Sequence, residues 1–246
     1  MSQPNPGHEV EERLALSQGP ETPVEPATLS DDVYGKLREG LLVGAWLPGV
    51  KITARNVAKQ YGVSLSPARD AMTRLANEGG LSLSDTRMYS VPSLSAEDYG
   101  QVTRIRLALE PMAAELAAQR VRDGDVARLG EINDRMRRHV EEERFQEGLV
   151  LDSRFHLELY RLCGSPVLAQ VIGTLWLRIG PTRNLLSRQY RRGLKGYRMH
   201  LKIIEALAGR DAAGAARLVR KDLKLGAREL SKVLAETERA AGADGS

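Results

Sequence analysis

Apolar positions recur along this chain with two different textures, and the change near Val91-Pro92 divides it. Before that point the segments are short. Asp31-Asp32 can cap a helix in which Val33, Leu37 and Leu41 repeat at i, i+4 and i+8, the spacing of one buried face. Gly44 and Pro48-Gly49 end it. A second helical segment runs from Thr53 to Tyr61 and joins through Gly62 to a third. There Ser64 is the expected N-cap, and Pro67 falls in the first turn, where a missing N–H costs little. Gly79-Gly80 stops this helix. Leu81-Ser82-Leu83 and Met88-Tyr89-Ser90-Val91 then flank the polar turn Ser84-Asp85-Thr86, as in a β-hairpin. Three helices and a hairpin predict a winged helix-turn-helix domain over 31–93.

From Ser95 to Leu234 the strand signal almost vanishes. Val102, Ile105, Leu109, Met112 and Leu116 mark one face of a long helix that begins near Ser95 and ends before Gly124. Further helices are expected over 125–144, 147–163, 166–179, 181–190, 197–207 and 212–234. The breaks fall at Gly148 or just before it, Gly164-Ser165-Pro166, Gly180-Pro181, Gly193 and Gly209-Arg210-Asp211, with Asp211 capping the last helix. The pattern predicts an all-α antiparallel helical bundle over 94–235, so the fold class is mainly α. Residues 1–30, with five acids against Arg13 and no apolar periodicity, read as a disordered tail, as do 236–246.

At 246 residues and 42% hydrophobic content, two modest domains with real cores, or one large one, are within reach. The net charge of +4 leaves no polybasic tail. The positive charge that matters is local: from Arg55 to Arg74 four cations face only Asp70, a footprint suited to a dimer sharing the work. Within it, Val63 to Leu75 reads as a helix whose first turn offers hydroxyls and backbone N–H groups to phosphate, followed by arginines. Helix, glycine turn and basic helix point to double-stranded DNA as partner. The contact candidates are Arg38, Arg55, Ser64, Leu65, Ser66, Pro67, Arg69, Arg74 and Arg87. Arginines on a solvated helix face are ordinary, and that plainer reading weakens only because the hairpin, Gly62 and Ser-x-Ser-Pro-x-x-Arg coincide.

No apolar run approaches the ~18 residues of a membrane span, and the first residues lack the pattern of a signal peptide. A single cysteine, Cys163, excludes an intrachain disulfide and suits a reducing cytoplasm; packing is its expected role. There is no Gly-rich phosphate loop and no Gly-x-Ser-x-Gly turn.

Polar residues on the apolar stripes of the bundle carry the candidate chemistry. Asp152 shares a stripe with Phe155, Leu159 and Leu162, and His156 lies four residues after it. His200 precedes Ile203, Ile204 and Leu207 and faces inward; Asp222 sits between Leu218 and Leu225. Burying two carboxylates without partners is very costly, and two imidazoles with a divalent cation would offset that cost. Each residue alone has a plainer explanation: a hydrogen-bonded core histidine, or an aspartate paired with one of the domain's many arginines. His8 falls in the tail, and His139, after Arg137-Arg138, is expected on a wet face.

Pro48-Gly49, Val63-Ser64, Ser66-Pro67, Arg69, Ala71, Arg74-Leu75 and Glu78-Gly79 together resemble the GntR family of bacterial transcription regulators. The resemblance implies DNA contacts from Arg55, from Leu65, Ser66 and Arg69, and from the wing around Arg87. Leu65 stands where the family usually has arginine, and Met88 where the wing usually has glycine. The bundle resembles the FCD-type (FadR C-terminal) ligand-binding domain, which holds a divalent metal with Asp-x-x-x-His and two later histidines. Asp152, His156 and His200 match three of those positions, and Asp222 falls on the fourth in place of histidine. Arg106, in Arg106-x-x-x-Glu110, matches an arginine placed near the effector.

The resemblance covers about residues 31–235 and implies a homodimeric, ligand-responsive regulator, more often a repressor than an activator. Its expected effector is a small carboxylate, and its metal one of Zn, Ni, Mn or Fe. A regulator with a metal-free pocket stays open as an alternative. A metal-dependent enzyme on the bundle has no spare acid or base beyond the ligands themselves.

Overall fold

The computed structural model describes residues 28–243, so His8 and nearly all of the tail expected over 1–30 lie outside the described residues. Helix α1 (Leu29–Leu42) is capped by Thr28 and not by the Asp31-Asp32 pair. The Thr28 hydroxyl accepts the Asp31 N–H at 3.2 Å, and the Asp31 carboxylate accepts the Thr28 N–H at 3.3 Å, a reciprocal capping box. After the two-residue strand β1 (Lys51–Ile52), α2 (Ala54–Tyr61) starts at Thr53 and ends where Gly62 turns left-handed at φ 64°. Helix α3 (Leu65–Asn77) follows, then β2 (Ser82–Leu83) and β3 (Tyr89–Ser90). The antiparallel sheet has the order β1-β3-β2, with Lys51 and Ser82 both opposite Ser90. Strand β1 escapes the sequence pattern because two residues cannot display an alternation. The left-handed position of the wing turn is Arg87, at φ 58°, and not Met88.

The bundle comprises α4 (Ala96–Arg120), α5 (Asp123–Glu141), α6 (Phe145–Arg161), α7 (Pro166–Ile179), a 3₁₀ turn (Pro181–Leu185), α8 (Arg188–Arg192), α9 (Lys195–Ala208) and α10 (Ala212–Ala243). Helix α7 has the expected ends. The expected helix over 181–190 is instead a 3₁₀ turn and a separate short helix, and α10 runs past 234 to Ala243, through part of the expected tail. Asp211 does cap α10, accepting the Gly214 N–H at 2.8 Å. Gly148 is no break: it lies within α6 against Val140, and the chain turns just before it, where Glu143 takes φ 60°.

Helix α4 corrects one expectation. Ile105 and Met112 are 49% and 43% exposed, and the inward face is Tyr99, Val102, Arg106, Glu110 and Ala113, Ala114, Ala117 and Ala118. Hydropathy picks out the largest apolar side chains, whereas the core selects small ones that let α4 and α10 approach along their length. His139 also turns inward. It continues the Ile132–Met136 row of α5 at i, i+4 and i+7, away from Arg138. Cys163 is buried, as expected.

The two domains share one continuous apolar core, with α1 packed on α7. Gly180 abuts the Leu41 and Leu42 carbonyls, and a Cβ at Gly44 would stand 2.9 Å from the Gly180 carbonyl. Asn184, on the 3₁₀ turn, donates to the Gly44 carbonyl at 2.8 Å and the Trp46 carbonyl at 3.1 Å. A single amide therefore ties the bundle to the chain that leaves α1.

Candidate functional site

The basic helix end presents Ser64, Leu65, Ser66 and Arg69 to solvent, with Pro67 half-buried, Arg55 exposed on α2 and Arg87 exposed in the wing. Ser64 adopts the extended backbone of an N-cap, but its hydroxyl makes no capping bond. That hydroxyl and the first N–H groups of α3 are thus available to an outside acceptor. Arg74 and Arg38 are differently employed. Arg74 stacks 3.7 Å from the Tyr34 ring centroid and pairs with Asp31 at 3.2 Å and Glu78 at 3.6 Å. Arg38 pairs with Glu78 at 3.9 Å and reaches Gly173 of α7. Both brace α1 against its neighbours.

The second region is a cavity of about 120 Å³, lined by Tyr99, Arg106, Asp152, His156, Trp176 and Arg183 among others. An apolar cavity of about 150 Å³ can hold benzene, so this one suits a small molecule. Helix α6 supplies Asp152 and His156 one turn apart, α9 supplies His200, and α10 supplies Asp222. His156 Nε2 lies 3.2 Å from His200 Nε2 and 3.2 Å from Asp222 Oδ2, and His200 Nε2 lies 3.7 Å from Asp152 Oδ1. Asp152, His156 and His200 offer donor atoms all within 4.8 Å of one another; Asp222 touches this trio through His156.

The far nitrogens of both imidazoles are engaged. The Asn133 amide donates to the Tyr197 carbonyl at 3.3 Å, which leaves its oxygen to accept His200 Nδ1–H at 3.0 Å. His200 is fully buried; burial, with the charge of His156 next, pushes its pKa down to about 3, so it is neutral and its Nε2 is a bare lone pair. Phe155 stacks on its ring at 3.9 Å.

Tyr160 stands 3.2 Å from His156 Nδ1 and gives its one proton to Glu110 at 2.6 Å. Burial, and then the Glu110 charge, hold its phenol well above its usual pKa, so it stays a donor to Glu110 and an acceptor for His156 Nδ1–H. In the neutral ring His156 Nε2 is then also a lone pair, aimed at His200 Nε2 and the Asp222 carboxylate. Burial raises the Asp222 pKa, but once a proton sits on His156 Nε2 its hydrogen bond and charge outweigh burial and lower it. A proton or a metal ion satisfies acceptors converging in this way.

Donor atoms ~2.1 Å from one ion stand roughly 3.0–3.4 Å apart. The two 3.2 Å spacings match that, and nitrogen and oxygen donors suit a divalent ion of the zinc to manganese series. The residues therefore fit such an ion.

Two buried arginines stand in the walls, with Arg191 and Lys195 nearer the surface. Arg106, the expected effector contact, is buried and holds Glu110 through Nε at 2.6 Å and Nη2 at 3.2 Å. Burial opposes its charge, yet Glu110 beside it raises the pKa overall. Glu110 also accepts Trp176 Nε1–H at 2.9 Å, so four donor groups converge on one fully buried carboxylate. Arg183, on the 3₁₀ turn, was not expected. It donates to the Asp152 carboxylate and the Ser153 hydroxyl, and burial, then the Arg106 charge, lowers its pKa to about 10. No periodicity marks an arginine in so short an irregular turn. Asn133 could have been found, as a polar residue on the row of Leu129, Ile132 and Met136.

Residues 101–225 match the model of the FCD domain, and residues 29–87 that of the bacterial regulatory proteins of the gntR family. The chain is 29% identical over 192 residues to the HTH-type transcriptional regulator McbR of Escherichia coli, across 76% of this chain and 86% of that one. It is 31% identical over 165 residues to the Nta operon transcriptional regulator of Aminobacter aminovorans, across 66% and 76% of the two chains. The solved structure of E. coli McbR/YncC superposes with a TM-score of 0.78 at 26% identity, covering 84% of this chain and 99% of that one. Among the described residues, no helix is long and apolar enough to cross a membrane.

Proposed function

The chain belongs to the bacterial gntR family of regulatory proteins, with an FCD domain behind its DNA-reading domain, and from that premise we propose a metal-dependent sensor of a small carboxylate. It is a DNA-binding transcriptional regulator and not an enzyme. In this reading residues 31–93 contact the operator through Arg55, Ser64, Ser66, Arg69 and Arg87, in the cytoplasm where the DNA is, and residues 94–235 sense the effector. Asp152, His156 and His200 hold a divalent cation, with Asp222 as the fourth ligand. The observation that carries this is the pair of imidazole nitrogens facing each other and two carboxylates inside the bundle.

A divalent ion there would supply a Lewis-acidic centre for an effector oxygen. Asn133 and Tyr160 hold the two imidazoles in the required tautomer and orientation. Asp222 adds an oxygen donor where an imidazole would be softer, which makes Mn²⁺ or Fe²⁺ more competitive with Zn²⁺ and Ni²⁺. A metal-free pocket is favoured by one observation, the Arg183 guanidinium already resting on Asp152.

Protein reconstituted with each of these ions and dialysed should retain about one ion per chain. Asp152→Ala, His156→Ala and His200→Ala should each lower that content. Wild-type protein that holds none of the four ions overturns the metal reading.

We further assign a homodimer built on the bundle. Ile105 and Met112, with half-buried Leu109 and Leu116, form a row on α4, and α7, which packs on α4, exposes Val167 and Val171 by 73% and 43%. A row of this kind fits a second copy of itself, and two linked winged helices raise the effective concentration of the second DNA contact. Light scattering should find a dimer in the wild type and a monomer in Ile105→Glu/Met112→Glu. Repression relieved by the effector requires that it bind the two domain arrangements unequally. Reporter expression that rises on deletion of the regulator would bear that out.

A further inference from the structure

The geometry points to Arg183, and not Arg106, as the group that receives the effector's carboxylate, kept in reserve by Asp152 until that aspartate turns to a cation. This rests on the cation site proposed above. The two guanidiniums face the same Trp176 ring from one cavity, each 4.9 Å from its centroid, but their partners differ. Glu110 is committed: it is fully buried, grips Arg106 through two nitrogens and takes Tyr160 and Trp176 as well. No other charge in the cavity competes for it at contact distance, so Arg106 arrives already neutralised.

Asp152 has two claims on it. Its Oδ2 takes the Arg183 guanidinium, while its Oδ1 faces His200 Nε2 at 3.7 Å, inside the set that would ligate an ion. A carboxylate that gives its lone pairs to a cation can no longer balance an arginine. Arg183 is then a buried cation beside the cavity, left with the Ser153 hydroxyl and the Trp176 ring, and a buried cation without a counter-charge is costly. A carboxylate entering from the cavity meets that need with the paired geometry an arginine fork prefers.

The charge of the walls agrees. Glu110, Asp152 and Asp222 stand against Arg106, Arg183, Arg191 and Lys195, which leaves one positive charge in excess with the imidazoles counted as neutral. A divalent cation would raise this to three positive charges, which favours an anionic effector such as a carboxylate. The exchange also lies next to the domain joint: Asn184, the following residue, holds the Gly44 and Trp46 carbonyls. Movement of Arg183 is therefore felt one residue from the contact that seats the DNA-reading domain.

The test uses the full chain, with Mn²⁺ and acetate as probes, acetate being compared with chloride at matched ionic strength. Arg183→Gln, checked for native circular dichroism, should bind Mn²⁺ several-fold more tightly than wild type, because Asp152 loses its competitor. Acetate should raise the melting temperature of the Mn²⁺-loaded wild type and leave Arg183→Gln unmoved. Asp152→Asn should respond to acetate without any metal, because Arg183 is released there by substitution. Unchanged Mn²⁺ affinity in Arg183→Gln, or a retained acetate response in that variant, overturns the inference. If the wild type binds no Mn²⁺, the cation reading fails separately. The Asp152→Asn response still decides Arg183: a shift supports it and no shift removes it.

Discussion

At the exposed end of the winged helix, Arg55, Arg69 and Arg87 stand in water with no ion pair among the described residues, whereas in the bundle cavity Arg106 and Arg183 are buried and each rests on a carboxylate. Solvated guanidiniums cost little to keep unpaired, so they remain ready for a phosphate, and exposed ion pairs would add little stability. Buried ones must be balanced within the protein before any ligand arrives. On the proposed function, recognition proceeds by addition at one end and by exchange at the other. Arg38 and Arg74 stand between the two cases: partly covered by the protein, they tie α1 to α3 and its end through Glu78, Tyr34 and Asp31.

The comparison breaks most decisively at Glu110. Glu110→Gln leaves Arg106 without its counter-charge in the core, and urea unfolding should show a loss of roughly 3–5 kcal/mol. Replacing both partners, as Arg106→Met/Glu110→Leu, should recover only part of that, since no orphan charge remains but Tyr160 and Trp176 lose their acceptor. A small loss in Glu110→Gln would mean that water already balances Arg106.

Next in size is the reading end, where the same kind of deletion should spare stability. Arg69→Ala should change the unfolding free energy by no more than about 0.5 kcal/mol. Its operator affinity should fall by about 1–3 kcal/mol if it reads a base, or the salt slope by about one if it touches only phosphate. Fluorescence anisotropy over a salt series measures both. Unaltered affinity and slope would place Arg69 outside the interface.

Leu65 sharpens the contrast in the other direction. It is exposed at the first position of α3 and cannot donate a hydrogen bond. Leu65→Arg should gain about 1 kcal/mol or more on half-sites with guanine at its base step and nothing on those without it. Equal binding to both would mean that this side chain does not face the bases.

The smallest effect concerns His139, buried on α5 with no hydrogen-bond partner for its Nδ1 among the described residues. Burial, and then the Arg144 charge, lower its pKa below the usual 6.5. The unfolded chain thus binds the proton more readily than the folded one, and stability falls as pH drops below about 6.5. Above that value the contribution is fully present. His139→Gln should flatten the decline of melting temperature from about pH 6.5 to about pH 5, read by thermal scans at matched ionic strength. A slope identical to wild type would assign the acid sensitivity to other groups.

Much of this was legible before any coordinates. The winged helix came from caps, Gly62 and the Ser-Pro start of α3, which are local rules written in neighbouring residues. Asp152 and His156 were found because one turn of α6 separates them, and His200 because it precedes an inward apolar row. The inner face of α4 was misread, and β1 was missed, where the local signal was weak or pointed to bulk and not to fit.

The order of most helices, the inward stripes of α1, α6 and α9 and the basic end of α3 were determined by the sequence alone, because each depends on propensities and periodicities spanning only a few turns. Which charges meet was decided by the tertiary structure. Arg183 lies 31 residues from Asp152, Tyr160 lies 50 from Glu110, and His200 lies 67 from Asn133. Their encounter depends on helices packing at close quarters, where a buried charge takes whichever partner lies within reach. Periodicity can place a charged residue on an inward face, but only packing selects the group that neutralises it.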